Sequence, residues 1–158
     1  MGDLNLKGQF IGGAEVKIDD AGRFALPIKL KRIFLKYYGN KIFITSVNGD
    51  KVLIYPIRVW KEWLRSMNAV SDFDPDKMKF IERVNYFGEV SRIDGRGRIL
   101  ISPRLREYVK ISEMVSIVSA TNHIVIWDSA AFRSNHIEGN RMTNDELKSF
   151  TSKLGKQE

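Results

Sequence analysis

A chain of 158 residues, 43% of them apolar, can bury one core, yet it has no run of about 18 apolar residues, so no membrane span is expected. The absence of cysteine excludes disulfides, thiolate metal sites and cysteine nucleophiles together, and it suits a reducing cytoplasm. The net charge of +7 favours a polyanionic partner, nucleic acid above all. The excess is localised: residues 11–68 hold eleven basic and five acidic groups, residues 88–133 seven and five, and the tail from Ser134 four of each. Nothing after Met1 has the form of an export signal, so none is expected.

Residues 1–10 read as a loose, Gly-punctuated lead-in. Ala14, Val16 and Ile18 then alternate with Glu15 and Lys17, the period of a half-buried strand. Asp19-Asp20-Ala21-Gly22 is a turn and Phe24-Ala25-Leu26 a second apolar run, so the unit is a β-hairpin or two strands around a tight loop. Pro27 suits a first helical turn; Leu30, Ile33, Phe34 and Tyr37 share one face of that helix, and Lys29, Lys31, Arg32 and Lys36 the other. Ile42–Ile44 and Val52–Tyr55 are strands around Asn48-Gly49-Asp50, and a helix after Pro56 aligns Trp60, Trp63, Leu64 and Met67. Asp74-Pro75 starts a connecting helix with Phe80, Ile81, Val84 and Phe87 on one side.

From Gly88 the pattern returns. Val90 and Ile93 lead into Asp94-Gly95-Arg96-Gly97-Arg98, then Ile99-Leu100-Ile101, then a helix from Ser102-Pro103 with Leu105, Tyr108 and Val109 on one face. Val115–Val118 and Ile124–Trp127 form a strand pair around Thr121-Asn122. Thr143-Asn144-Asp145-Glu146 is a capping box ahead of Leu147, Phe150 and Leu154. The expected organisation is a first repeat at 12–68, a connecting helix at 69–87, a second repeat at 88–133 and a helical tail at 134–158.

The centre of this plan is the duplicated Asp-x-x-Gly-Arg, Asp19 to Arg23 and Asp94 to Arg98, at a constant offset of 75 residues. Gly22 and Gly97 supply the positive φ that a tight loop demands. Each aspartate can accept from the backbone N–H groups of its own loop, or from the arginine four residues on, which would aim the guanidinium. Arg23 and Arg98 carry planar five-donor forks that suit a phosphate or a guanine edge, and a two-stranded β unit fits a major groove. Arg96 and Arg92 add charge to the second copy, and Lys17 is the counterpart of Arg92 in the first. Glycine and aspartate serve a structural turn equally well; the arginines discriminate, because a turn has no need of them. Lys31 and Arg106 also hold equivalent places behind the two loops.

The aromatic residues Tyr55, Trp60, Trp63, Trp127 and Phe132 sit at core spacing beside aliphatics, which points to packing rather than base stacking. His123 and His136 have no ligand-spaced companions, so no metal is expected. The sequence offers neither a nucleophile–base constellation nor a phosphate-binding Gly-rich loop ahead of a helix, so no enzyme activity, cofactor or small-molecule substrate is expected.

With both loops in view, the chain resembles the MraZ family of bacterial transcriptional regulators, tandem relatives of the AbrB and MazE swapped-hairpin DNA-binding proteins. The resemblance rests on the two Asp-to-Arg loops in strand–loop–strand context, on Pro27 with Leu30-Lys31, on Pro103 with Leu105-Arg106, and on Tyr55-Pro56 and Trp127-Asp128 after β runs; it spans Gly12 to Phe132. It implies a mainly β fold with peripheral α-helices, in which tandem AbrB-like repeats form a double-split β-barrel, assembled as a ring-shaped homo-oligomer. It implies a cytoplasmic, nucleoid-associated repressor of the division and cell-wall gene cluster, bound to double-stranded DNA at promoter direct repeats. Carried over, the DNA-contacting loop arginine is Arg23 first and Arg98 second, with Asp19 and Asp94 orienting them and Arg96, Lys17 and Arg92 nearby. The alternative is an oligomeric protein-interaction scaffold, or an antitoxin-like partner binder, with the loops as structural turns.

Overall fold

The computed structural model describes residues 7–155; expectations for residues 1–6 of the lead-in and 156–158 of the tail lie outside them. The elements run β1 (Gly13–Lys17), β2 (Arg23–Ala25), α1 (Ile28–Ile33, continued by a π-helical turn Phe34–Tyr38), β3 (Lys41–Thr45), β4 (Val52–Pro56), α2 (Ile57–Met67) and α3 (Pro75–Tyr86). They continue with β5 (Glu89–Arg92), β6 (Arg98–Leu100), α4 (Pro103–Val109), β7 (Met114–Ser119), β8 (Ile124–Asp128), α5 (Ser129–Phe132, with a π-helical turn Arg133–Glu138) and α6 (Asn144–Ser152). Helical residues outnumber strand residues, so the fold is mixed α/β with a large antiparallel sheet rather than mainly β.

That sheet has six strands in the order β1-β7-β8-β4-β3-β5; β2 and β6 form a separate two-stranded ribbon. Exchanging each strand for its counterpart in the other repeat (β1 for β5, β2 for β6, β3 for β7, β4 for β8) reverses the order and leaves it unchanged. The molecule therefore has a pseudo-dyad, and each repeat completes its sheet with the other's first strand: β1 pairs with β7, and β5 with β3. This settles the choice left open for the loop unit. β1 and β2 are not hairpin partners; they are two strands around a tight loop that leave it for different sheets. It also keeps the described strands from closing a barrel. β1 and β5 stand at opposite ends of the sheet, while β2 and β6 leave it to pair with each other.

The alternation along the strands feeds two cores. Ile42 and Ile44 of β3, Val52 and Ile54 of β4, and Ile117, Ile124 and Ile126 of the second repeat face the ribbon's Phe24 and Ile99 and the helix residues Leu30, Phe34 and Leu105. Phe43 and Tyr55 face the other way, against Val59 and Trp60 of α2 and Val84 of α3, with Phe43 and Trp60 stacked at 4.4 Å. Trp60 thus belongs to a core, while Trp63 stays partly exposed beside Phe80.

The connector is tied to both halves. The Thr45 hydroxyl donates to the Val84 carbonyl at 2.6 Å, and Arg83 donates to the Val47 carbonyl in one repeat and the Tyr108 hydroxyl in the other. The end of the lead-in is not loose. Phe10 is buried between Phe34 and Tyr38, its N–H donates to the Thr121 carbonyl at 2.8 Å, and the Tyr38 hydroxyl donates to the Gly8 carbonyl. The tail helix α6 starts at the expected capping box on Thr143 and Glu146, with Leu147, Phe150 and Leu154 exposed.

Candidate nucleic-acid interface

The two loops are built alike. In the first, the Gly22 N–H donates to the Asp19 carbonyl and the Asp19 N–H to the Arg23 carbonyl, both at 2.9 Å; in the second, the Gly97 N–H donates to the Asp94 carbonyl at 2.9 Å and the Asp94 N–H to the Arg98 carbonyl at 3.0 Å. Both glycines have positive φ, 93° and 75°. The aspartate carboxylates accept from the arginine N–H groups at 2.8 Å (Asp19) and 2.9 Å (Asp94), and Asp94 also accepts from the Arg96 N–H at 2.8 Å. These backbone bonds, led by the one from the arginine four residues on, hold both carboxyls below the ordinary carboxylate value.

The ribbon then brings the loops together. Its register sets Arg23 opposite Leu100, Phe24 opposite Ile99 and Ala25 opposite Arg98. Beyond it, each loop glycine carbonyl accepts from the other repeat: Gly22 from the Ile101 N–H at 2.8 Å and Gly97 from the Leu26 N–H at 3.0 Å. Strand alternation places Phe24 and Ile99 on the buried face and Arg23, Arg98, Ala25 and Leu100 on the outer one. Arg23 and Arg98 are therefore diagonal neighbours across the ribbon, about 7–8 Å apart at the backbone. The ribbon, sealed beneath by Phe24 and Ile99, carries two half-exposed arginines on its outer face.

The loops differ in what they do with those groups. Arg98 Nε donates to Asp94 Oδ2 at 2.9 Å, so its fork is aimed along its own loop. Asp19 receives only backbone donors, and among the described residues no hydrogen bond or ion pair holds the Arg23 guanidinium. Arg96 is exposed at the tip of the second loop, where the first has Ala21. Lys17 and Arg92 end the two edge strands, opposite Met114 and Lys41 respectively, and both are exposed.

Two further residues reach the loops from the opposite repeat. Arg106 of α4 lies on the first loop: its Nε donates to the Ile101 carbonyl at 3.1 Å, its terminal nitrogen makes a long 3.5 Å bond to the Ala21 carbonyl, and a Cβ on Gly22 would stand 2.6 Å from Nε. Lys31 of α1 lies on the second loop, where a Cβ on Gly97 would stand 2.8 Å from its Cδ. Their constant spacing behind the two aspartates was the available signal, but a spacing does not say which loop a side chain reaches. Among the described residues no group of three His, Asp or Glu is placed to hold a metal, and no helix is long and apolar enough to cross a membrane.

Residues 89–149, the second loop through most of α6, match the family model described as "MraZ protein, putative antitoxin-like". The transcriptional regulator MraZ of Acidobacterium capsulatum is 32% identical over 137 residues, covering 87% of this chain and 93% of the relative. The chain belongs to the MraZ family. Its similarity to the MraZ regulator of Koribacter versatilis is 30% identity over 143 residues, 90% of this chain and 97% of the relative, too much to leave out either loop. The MraZ regulator of Shewanella pealeana is 27% identical over 141 residues, 87% of this chain and 92% of the relative. These MraZ relatives are named as regulators of transcription and not as enzymes.

Proposed function

We propose that this chain is a transcriptional regulator that binds double-stranded DNA through the outer face of the β2–β6 ribbon. The observation that carries the reading is the pairing register, which turns Phe24 and Ile99 inward and leaves Arg23 and Arg98 diagonally across from each other on the outer face. A two-stranded ribbon fits a major groove, where a guanidinium can take the guanine O6 and N7 together. Arg96, Lys17 and Arg92 add salt-sensitive phosphate contacts, and Asp19 and Asp94 set the loop backbones.

The exchange of strands about the pseudo-dyad supports reading the two halves, 12–68 and 88–133, as AbrB-like repeats of a double-split barrel, joined by the segment 69–87 and followed by the tail 134–158. The exposed stripe of Leu147, Phe150 and Leu154 supports self-association, which we read as a ring of identical subunits. Such a ring laid along promoter direct repeats multiplies modest contacts by effective concentration. In this reading the protein is a nucleoid-associated, cytoplasmic repressor of the division and cell-wall genes.

The test is a titration of the protein's own upstream region at fixed salt, with footprinting. The wild type protects spaced direct repeats, and Arg23→Ala with Arg98→Ala abolishes the protection; unchanged affinity and footprint in that double variant would overturn the assignment. The same apolar stripe on α6 also favours a second reading, a partner-binding scaffold. That reading requires a stoichiometric protein partner and no DNA shift at physiological salt.

A further inference from the structure

We propose that Arg106 is a positioning residue that braces the first loop from the opposite repeat and so sets where Arg23 points. The inference rests on the DNA-binding reading above and adds to it a residue that works without touching DNA. Arg106 is half-buried and reaches the first loop from α4 of the opposite repeat, close over Gly22. Its guanidinium spans two carbonyls that belong to different repeats, Ile101 at 3.1 Å and, at the long end, Ala21 at 3.5 Å, and it passes close over Gly22 between them. The Ile101 N–H in turn donates to the Gly22 carbonyl at 2.8 Å. Gly22, Ile101 and Arg106 therefore form one closed set of contacts immediately behind Arg23.

The second loop solves the same problem differently. There the loop arginine is held by its own aspartate, Arg98 Nε to Asp94 Oδ2 at 2.9 Å, and the residue reaching across is Lys31, whose stem packs on Gly97. A lysine offers a point charge on a flexible chain, whereas a planar fork can bridge two fixed carbonyls. The first loop lacks an aspartate–guanidinium bond and has the bridging arginine; the second has the bond and lacks the bridge. Beyond their shared backbone bonds, each loop is held by a different side chain, and only in the first does the loop arginine's guanidinium lack a protein partner among the described residues.

The experiment measures binding of the upstream duplex by Arg23→Ala, Arg106→Ala, Arg106→Lys and the double variant Arg23→Ala/Arg106→Ala, with amide exchange at Gly22 and Ile101 recorded on the free proteins. A brace predicts that Arg106→Ala and Arg106→Lys each weaken binding about tenfold, because lysine keeps the charge but not the bridge. It predicts no further loss when Arg106→Ala is added to Arg23→Ala, and faster exchange at both amides in the Arg106 variants. Wild-type affinity in Arg106→Lys, or losses that multiply in the double variant, would make Arg106 a direct phosphate contact and overturn the proposal. Unchanged exchange in Arg106→Ala would overturn it as well. Wild-type affinity in Arg23→Ala alongside accelerated exchange in Arg106→Ala would sink the role assigned to Arg23 while leaving the brace standing.

Discussion

Gly22 and Gly97 hold the same place in their loops but stand against different neighbours. A methyl group on Gly22 would meet the Ile101 carbonyl oxygen at 2.5 Å, a backbone atom that cannot yield; on Gly97 it would meet the stem of Lys31, which can swing away. Both positions have positive φ, so both alanine variants are strained, but Gly22→Ala is expected to cost about 2–3 kcal/mol and Gly97→Ala about 1 kcal/mol, ranked by urea unfolding. The aspartates predict a pH dependence. Their folded carboxyls titrate below the ordinary value of 3.8, so the unfolded chain takes up protons first as pH falls. The stability they contribute is complete above the unfolded value and drains away as pH drops through the lower folded ones. Carboxyl-carbon NMR titration checks this; midpoints at or above 3.8 would contradict the loop hydrogen bonds. At this scale the sequence exposed Asp, Gly and Arg because duplication marked them. It did not expose which arginine is tied down, since both loops carry the same Asp-to-Arg spacing and only the second makes the Asp94–Arg98 side-chain bond; nor did it show that Arg106 reaches Ala21 from 85 positions away.

Among the elements, the ribbon depends on its inner face. Phe24 is almost wholly buried against the main core, so Phe24→Ala is expected to cost about 3–5 kcal/mol in a thermal or urea melt and to loosen both loops together, because their glycines are bonded across the ribbon. The β7–β8 turn carries a second titratable feature. His123 stacks on Tyr55 at 4.3 Å, and burial, with Lys51 nearby, holds its pKa below 6.5. The folded state therefore favours neutral imidazole. The stabilisation is complete above 6.5 and is lost as pH falls through the lower folded value, a loss His123→Phe should abolish in paired melts. Lys17 and Arg92 end the two edge strands of the sheet, where a charge also discourages addition of a further strand. Period-two alternation revealed where the strands are, but not their partners: β1 and β2 look like a hairpin locally and find mates more than 70 residues away. The burial of Phe10 has no sequence signature for a related reason, since one aromatic among polar residues and glycines carries no periodicity.

For the whole molecule, the strand exchange makes neither repeat self-sufficient. Residues 88–155 alone would leave β5 without β3 and β7 without β1. That fragment is expected to dimerise, each copy lending the other its first strand, and light scattering on the isolated fragment would show a dimer rather than a folded monomer. Arg83 fastens the connector to both halves, so Arg83→Ala, which strands the Val47 carbonyl and the Tyr108 hydroxyl, is expected to cost about 1–3 kcal/mol in the intact chain. The duplicated loop was readable as a 75-residue offset; the exchange of strands was not, because pairing is a property of space and not of spacing. Covalent joining of the halves has one further result. In a dimer of identical copies a true two-fold axis would make the two loops the same. Here one chain supplies both sides, so Ala21 can answer Arg96, and Arg106 can answer Lys31. The two sides of the ribbon consequently differ, so the chain has a front and a back that a symmetric pair of identical halves would lack.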